Sequence, residues 1–246
     1  MSTVTKQASP LGTIAILENR KTGVLIYQQG HCHQSEADAN GVSISAYIHA
    51  LFGLLQQAGS RDVLLIGCGG GTLATMLHRA GATVTMVDID ETAFDIARRY
   101  FKLPKAVECY IADGETFLAQ RRHRYDAIVL DAYIGTEIPA QFLEPRFFKL
   151  ARTRLKKPRG CLFANAYIVN SRDRKADRLA TAMGRVFSGV RLLDEKGSTN
   201  RNAIAMAGAV AELVPPSLIM KPKADVDDIA NTLKRMRFRS WRPRAS

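Results

Sequence analysis

Apolar positions in the first quarter of the chain fall into two kinds of run. TIAIL (13–17) and VLIY (24–27) are short, β-branched and separated by ENRKTG, which predicts an N-terminal β-hairpin turned at Gly23. GHCHQSEADANG reads as a polar loop. From Val42 to Ala58 the apolar residues Ile44, Ile48, Leu51, Leu55 and Ala58 recur at three- and four-residue spacing, the mark of an amphipathic helix that Gly59 ends. After that the pattern changes. DVLLIG (62–67) is a continuous apolar run suited to a strand buried on both faces, CGGGT is a loop, and LATMLHRAG is a helix. TVTMVDID, AVECYIAD, YDAIVLDA, GCLFANAYI, GVRLLDE and NAIAMAGA read as further strands. Helices are expected over ETAFDIARRYF, EPRFFKLARTRLKK and residues 172–187. Alternation of this kind predicts an α/β fold: a doubly wound, mostly parallel Rossmann-like sheet carrying a short N-terminal β-hairpin. The expected division is 1–40 for hairpin and loop, 41–212 for the Rossmann-like domain, and 213–246 for a basic C-terminal extension.

In such a sheet ligands bind outside the carboxyl ends of the strands, so the residues that end strands are the ones to read. The first sheet strand ends in IGCGGGT, where Gly67, Gly69, Gly70 and Gly71 let the backbone turn tightly and approach a ligand. Asp88 ends the next strand 21 residues after Gly67, the separation at which a carboxylate accepts hydrogen bonds from ribose hydroxyls. A nicotinamide fingerprint is excluded, because its third glycine position holds Thr72. The spacing suits a nucleoside without a pyrophosphate. Asp113, in IADG, ends the third strand and is placed to accept from an adenine amino group. Asp131, in VLDAY, ends the fourth and points toward the cleft. Simple helix capping accounts for Asp90 but is a strained account of the whole set.

These motifs resemble the spermidine synthases and the wider spermidine synthase-like group of the class I S-adenosylmethionine-dependent methyltransferase fold. VLLIGCGGG stands where synthases carry GGGDGG, MVDID where they hold the ribose, IADGETFL where they have the adenine-side Asp-Gly, and YDAIVLDAY where a strand ends in their catalytic aspartate. The resemblance implies donor contacts at Gly67, Gly69, Asp88, Asp113 and Gly114, and a catalytic base at Asp131; Gly70, in the same loop, is expected to join the donor contacts through its N–H. It also implies a sulfonium donor, S-adenosylmethionine or its decarboxylated form, and no metal. Tyr133, Asn165 and Tyr167 are candidate acceptor contacts at neighbouring strand ends, although the two tyrosines fit a core place equally well.

Departures from the synthase pattern change the expected chemistry. Synthases continue their catalytic strand as Asp-Ser-Ser-Asp-Pro, and the second aspartate grips the far amine of a diamine; here Ile134 occupies that place. The loop acid that holds the aminopropyl amine is replaced by Gly70, and an ungapped alignment puts Ser45 and Ala46 at the Tyr-Gln or Tyr-His pair. Glycine at 70 removes repulsion toward the carboxylate of intact S-adenosylmethionine and leaves N–H groups to bind it. Methyl transfer to a small acceptor is therefore put ahead of aminopropyl transfer to an amine, the polyamine synthase reaction. A non-catalytic protein that binds nucleic acid or a partner is the third reading.

Composition adds the compartment and a question about charge. The 246 residues include four scattered cysteines and no Cys-x-x-Cys pair, and MSTVTKQASPLGT lacks an apolar leader core, so an uncleaved cytoplasmic chain without a membrane span is expected. His31-Cys32-His33 is a weak metal corner, and Cys68 a weak candidate for a reactive thiol. The net charge of +12 is local: +9 lies in 145–178 and +5 in 221–246, leaving −2 for everything else. KRMRFRSWRPRAS interleaves Phe238 and Trp241 with arginines, a pattern able to bind nucleic acid or to clasp a second subunit in a homodimer.

Overall fold

A computed structural model describes residues 1–195 and 197–241. Strands β1 (Ser2–Gln7), β2 (Ile14–Asn19), β3 (Val24–Gln29) and β4 (Cys32–Ala37) form an antiparallel sheet in that order. The expected hairpin is its centre, β2 and β3. The segment expected to be a polar loop is strand β4, because its CHQSEA sequence pairs with Leu25 to Gln29 and presents Gln34, Ser35 and Glu36 to a cleft. Ile14, Ile16 and Tyr27 bury one face of this sheet against Ile96 and Phe101. Helix α1 (Ala46–Gln57) follows, with Ile48, Leu51, Leu54 and Leu55 buried at helical spacing. It starts four residues later than its apolar period suggests, since Val42 and Ser43 bond back to Asp38 and Glu36.

The second sheet alternates β5 (Asp62–Ile66), α2 (Thr72–Arg79), β6 (Thr83–Asp88), α3 (Glu91–Tyr100), β7 (Glu108–Ile111), α4 (Gly114–Gln120) and β8 (Ala127–Leu130). It continues through α5 (Pro145–Thr153), β9 (Cys161–Ile168), α6 (Lys175–Gly184), β10 (Val190–Asp194), β11 (Arg201–Gly208), α7 (Val226–Arg235) and β12 (Arg237–Arg239). Its strand order is β12-β10-β11-β9-β8-β5-β6-β7. Strands β5 to β9 pair in parallel, and β9 to β12 pair antiparallel. The chain winds outward from β5 through β6 and β7, then returns to place β8 on the other side of β5. The crevice outside the ends of β5 and β8 is thus the topological switch point, where this architecture binds ligands. Apolar clusters cover both faces, α1, α2 and α7 on one and α5 and α6 on the other. Each buried Leu, Ile or Phe there contributes about 1.5–3 kcal/mol.

The C-terminal segment is part of this domain rather than an appendage. β12 extends the main sheet on β10, Phe238 lies beneath the Arg191 guanidinium at 3.5 Å, and Arg239 bonds both Asp177 and the fully buried Asp194. Of the tail expected to be available to nucleic acid, residues 242–246 lie outside the described residues. The basic stretch 145–178 is partly engaged within the fold. Arg146 pairs with Glu115, Lys156 with Asp62 and Asp126, and Lys175 with Glu137, while Arg152 and Arg154 bond main-chain carbonyls. Among the described residues no helix is long and apolar enough to cross a membrane.

Candidate active site

A cleft of about 940 Å³ opens at the switch point and runs from the glycine loop after β5 to the start of β11. At one end Gly67 takes φ +103°, and a Cβ there would run into the carbonyl of Asp131, so only glycine lets the β5 and β8 loops lie this close. Asp88, at the end of β6, accepts from Cys68 N–H at 2.6 Å and from Asp90 N–H at 2.9 Å. Burial pushes its carboxyl above the ordinary range, and these two bonds oppose the shift. Asp90 caps α3 as expected. Asp113 proves to be a cap as well: it accepts from Thr116 N–H at 2.9 Å and from Gln141 Nε2 at 3.2 Å, while lining the same cleft. Gly114 packs on Ile66, with no room for a side chain.

The structure revises one part of the loop argument. Gly70 N–H donates to Ser35 Oγ at 2.8 Å, so β4 takes a group that was expected to be free for a donor carboxylate. A side chain at 70 would meet the Phe101 ring at 2.9 Å and Ser35 Cβ at 3.0 Å. Cys68 is buried, and burial pushes its thiol up, which opposes thiolate formation. His33 pairs with Glu36 at 2.9 Å, and no group of three metal-ligating side chains occurs among the described residues.

At the other end stands Asp131, half-buried where it lines the cleft. Its Oδ1 accepts from Asn165 Nδ2 at 2.8 Å and its Oδ2 from Tyr47 OH at 3.2 Å. Desolvation raises its pKa, and the two bonds hold the charged form. Tyr47 is the residue that sequence reading missed. It lies in the first turn of α1, two positions beyond the Ser45 to which an ungapped alignment assigned the synthase tyrosine. The helical period was the available signal, since it puts Tyr47 one turn before Leu51. Burial beside Asp131 drives its phenol far above the usual range, so it stays a neutral donor.

The three candidate acceptor contacts separate in role. Asn165 is 2% exposed and both ends of its amide are engaged, one by Asp131 and the other by Asn202 Nδ2 at 3.0 Å. Tyr133 OH donates to the Asn165 carbonyl at 2.9 Å and accepts from Tyr167 N–H at 2.8 Å, tying the Asp131 loop to β9. Only Tyr167 presents its hydroxyl outward, toward Asn200 Oδ1 at 3.1 Å. Ile134 is 53% exposed at the mouth, and Gln34 Nε2 reaches the Gly135 carbonyl at 3.3 Å.

This architecture has been solved before. A probable spermidine synthase from Corynebacterium glutamicum superposes with a TM-score of 0.77 over 97% of this chain and 90% of that one, at 18% identity. The chain has the spermidine synthase-like class I fold. A family profile described as a methyltransferase domain matches residues 63–158 of it. The polyamine aminopropyltransferase of Neisseria meningitidis serogroup A is 29% identical over 171 residues, covering 67% of this chain and 63% of that protein. A probable polyamine aminopropyl transferase of Bifidobacterium longum is 30% identical over 151 residues, covering 59% of this chain and 34% of its own length. The chain thus spans less than two thirds of either curated relative. The spermidine synthase-like resemblance extends to the N-terminal sheet, which the Corynebacterium superposition includes.

Proposed function

We propose that the protein transfers an alkyl group from a sulfonium nucleoside to a small amine, with Asp131 as the base. The observation that carries this reading is the setting of Asp131: a half-buried, partly desolvated carboxylate at the switch point, held by Tyr47 and Asn165 and lacking any cationic partner among the described residues. Such a group accepts the proton of an attacking amine and aligns its lone pair. The C–N bond forms as the C–S bond breaks, the amine proton passes to Asp131, and a thioether nucleoside leaves. A nucleoside donor fits the opposite end, where Asp88 lies beside the glycine loop at the end of β6 and Asp113 at the end of β7.

Aminopropyl transfer from decarboxylated S-adenosylmethionine now stands ahead of methyl transfer. Tyr47 brings a tyrosine hydroxyl to Asp131, Gly70 N–H is engaged by Ser35, and the two relatives described above are named for aminopropyl transfer, although other relatives are named methyltransferases. Methyl transfer from intact S-adenosylmethionine remains the second reading, because no acid stands at position 70 to hold the aminopropyl amine. Incubating the protein with each donor and a panel of mono- and diamines, with mass-spectrometric detection of the nucleoside product, separates them. Methylthioadenosine is expected. Adenosylhomocysteine alone would move the assignment to methyl transfer, and no product with either donor would refute a transferase.

A further inference from the structure

Asn202 is not among the hydrogen-bond partners of Asp131, yet the orientation of one that is, Asn165, depends on it. A carboxamide has one donor end and one acceptor end, and an ionised Asp131 can only accept. Asn165 must therefore turn its NH2 toward Asp131, which leaves its carbonyl oxygen facing away in a buried place. Asn202 meets that oxygen with its own NH2 at 3.0 Å. The pairing of β9 with β11 sets this up: Asn165 is opposite Ile204 and Asn202 opposite Tyr167, so the two asparagines are diagonal neighbours on one face of the sheet.

We infer that Asn202 is a positioning residue, whose amide pins the Asn165 carboxamide with its NH2 toward Asp131 and so keeps that carboxylate ionised and aimed. Without the pin, Asn165 is free to rotate by half a turn and put a carbonyl oxygen against a half-buried carboxylate. That contact favours protonation and withdraws the base. The titratable groups that act on this pair are Tyr47 from α1, Tyr133 two residues along from Asp131, and Glu36 of β4, whose charge acts on Tyr47. The inference rests on the reading of Asp131 as base for its catalytic meaning, but the orientation itself can be measured on the protein alone.

The experiment is carboxyl-carbon NMR titration of aspartate-labelled protein, with Asp131→Asn identifying the Asp131 resonance. Asn202→Leu keeps the volume and removes the donor; Asn202→Asp keeps the shape and reverses the polarity. The Asp131 midpoint is expected to rise in the order wild type, Asn202→Leu, Asn202→Asp, with the last step reaching about one pH unit, a tenfold change in proton affinity. In the wild type the Asn165 side-chain NH2 resonance should follow the Asp131 titration, and in Asn202→Asp it should cease to, which separates a turned amide from simple charge repulsion. An unmoved midpoint in both variants, or an Asn165 NH2 that still follows Asp131 in Asn202→Asp, would overturn the inference even if melting temperatures fell. If Asn202→Leu does not fold, the isosteric Asn202→Asp carries the test alone. Retained turnover in Asp131→Asn would instead remove the proposed role of Asp131 and leave the measured orientation standing.

Discussion

The two ends of one cleft are built in different ways. The proposed donor end comes from a continuous stretch, Gly67 to Gly114, in which successive parallel strands deliver a glycine loop, Asp88 and Asp113 to the same edge of the sheet. The proposed acceptor end is assembled from Tyr47, Asp131, Asn165 and Asn202, which lie on a helix, a loop and two antiparallel strands far apart in the chain. Main-chain geometry dominates the first, and a relay of side-chain hydrogen bonds dominates the second. A cleft divided this way can keep its donor while changing its acceptor, because single substitutions in the relay leave the glycine loop untouched.

The largest effect that would test this division is at Asp131. Asp131→Asn should lower turnover by about a hundredfold or more with donor affinity changed only a few-fold in calorimetry; a comparable loss of donor binding would mean the two ends are not separable. The same variant should not lower the melting temperature at neutral pH. Burial holds the Asp131 pKa above its unfolded value, so the charged form is disfavoured by folding once the pH exceeds that unfolded value, and a neutral amide relieves that cost.

Next in size is the support of the acceptor end by the C-terminal strand. Asp194 is fully buried and shared by Arg201 and Arg239. Arg239→Ala leaves one of its two cations and should cost about 2 kcal/mol in denaturant unfolding. It should raise the acceptor KM, since β10 lies between β12 and the β11 strand that carries Asn202, while donor affinity holds. Tyr47→Phe should follow with about a tenfold fall in kcat, because it removes one of two bonds to Asp131 without opening a cavity. An unchanged kcat would assign Tyr47 to packing.

The smallest effect is in acid. The Arg239 guanidinium holds the Asp177 carboxyl below the usual range. The stability this contributes is present above the unfolded carboxyl pKa of about 3.9 and is lost as pH falls through the lower folded value. Amide exchange in β12 should therefore accelerate below about pH 4 before the parallel strands respond. Simultaneous loss would show that the antiparallel edge has no separate stability.

The same division explains what could be read from the sequence. The glycine loop, Asp88 and Asp131 were legible because continuous apolar runs announce buried strands, and a residue that ends such a strand has a known address. Asp113 shows where that logic is incomplete, since its oxygens cap a helix as well as face the cleft. Tyr47 was not legible because its partner lies 84 residues away, and helix α1 begins where a loop hydrogen bond allows rather than where its apolar period suggests. Strands β1, β4 and β12 were missed because they are polar edge strands without a continuous apolar run, and helices α4 and α7 lay in segments read for other features. The charge excess gave no such address: Arg239, one of the arginines of the basic tail, bonds two carboxylates within the fold.

The central claim is that the parallel half of this cleft binds a sulfonium nucleoside. Calorimetric titration of the full chain with intact and with decarboxylated S-adenosylmethionine tests it most directly, with Asp88→Asn as the paired control. Micromolar binding of the decarboxylated form, weakened about tenfold or more in Asp88→Asn, is the expected result; absence of heat with either donor would contradict the account.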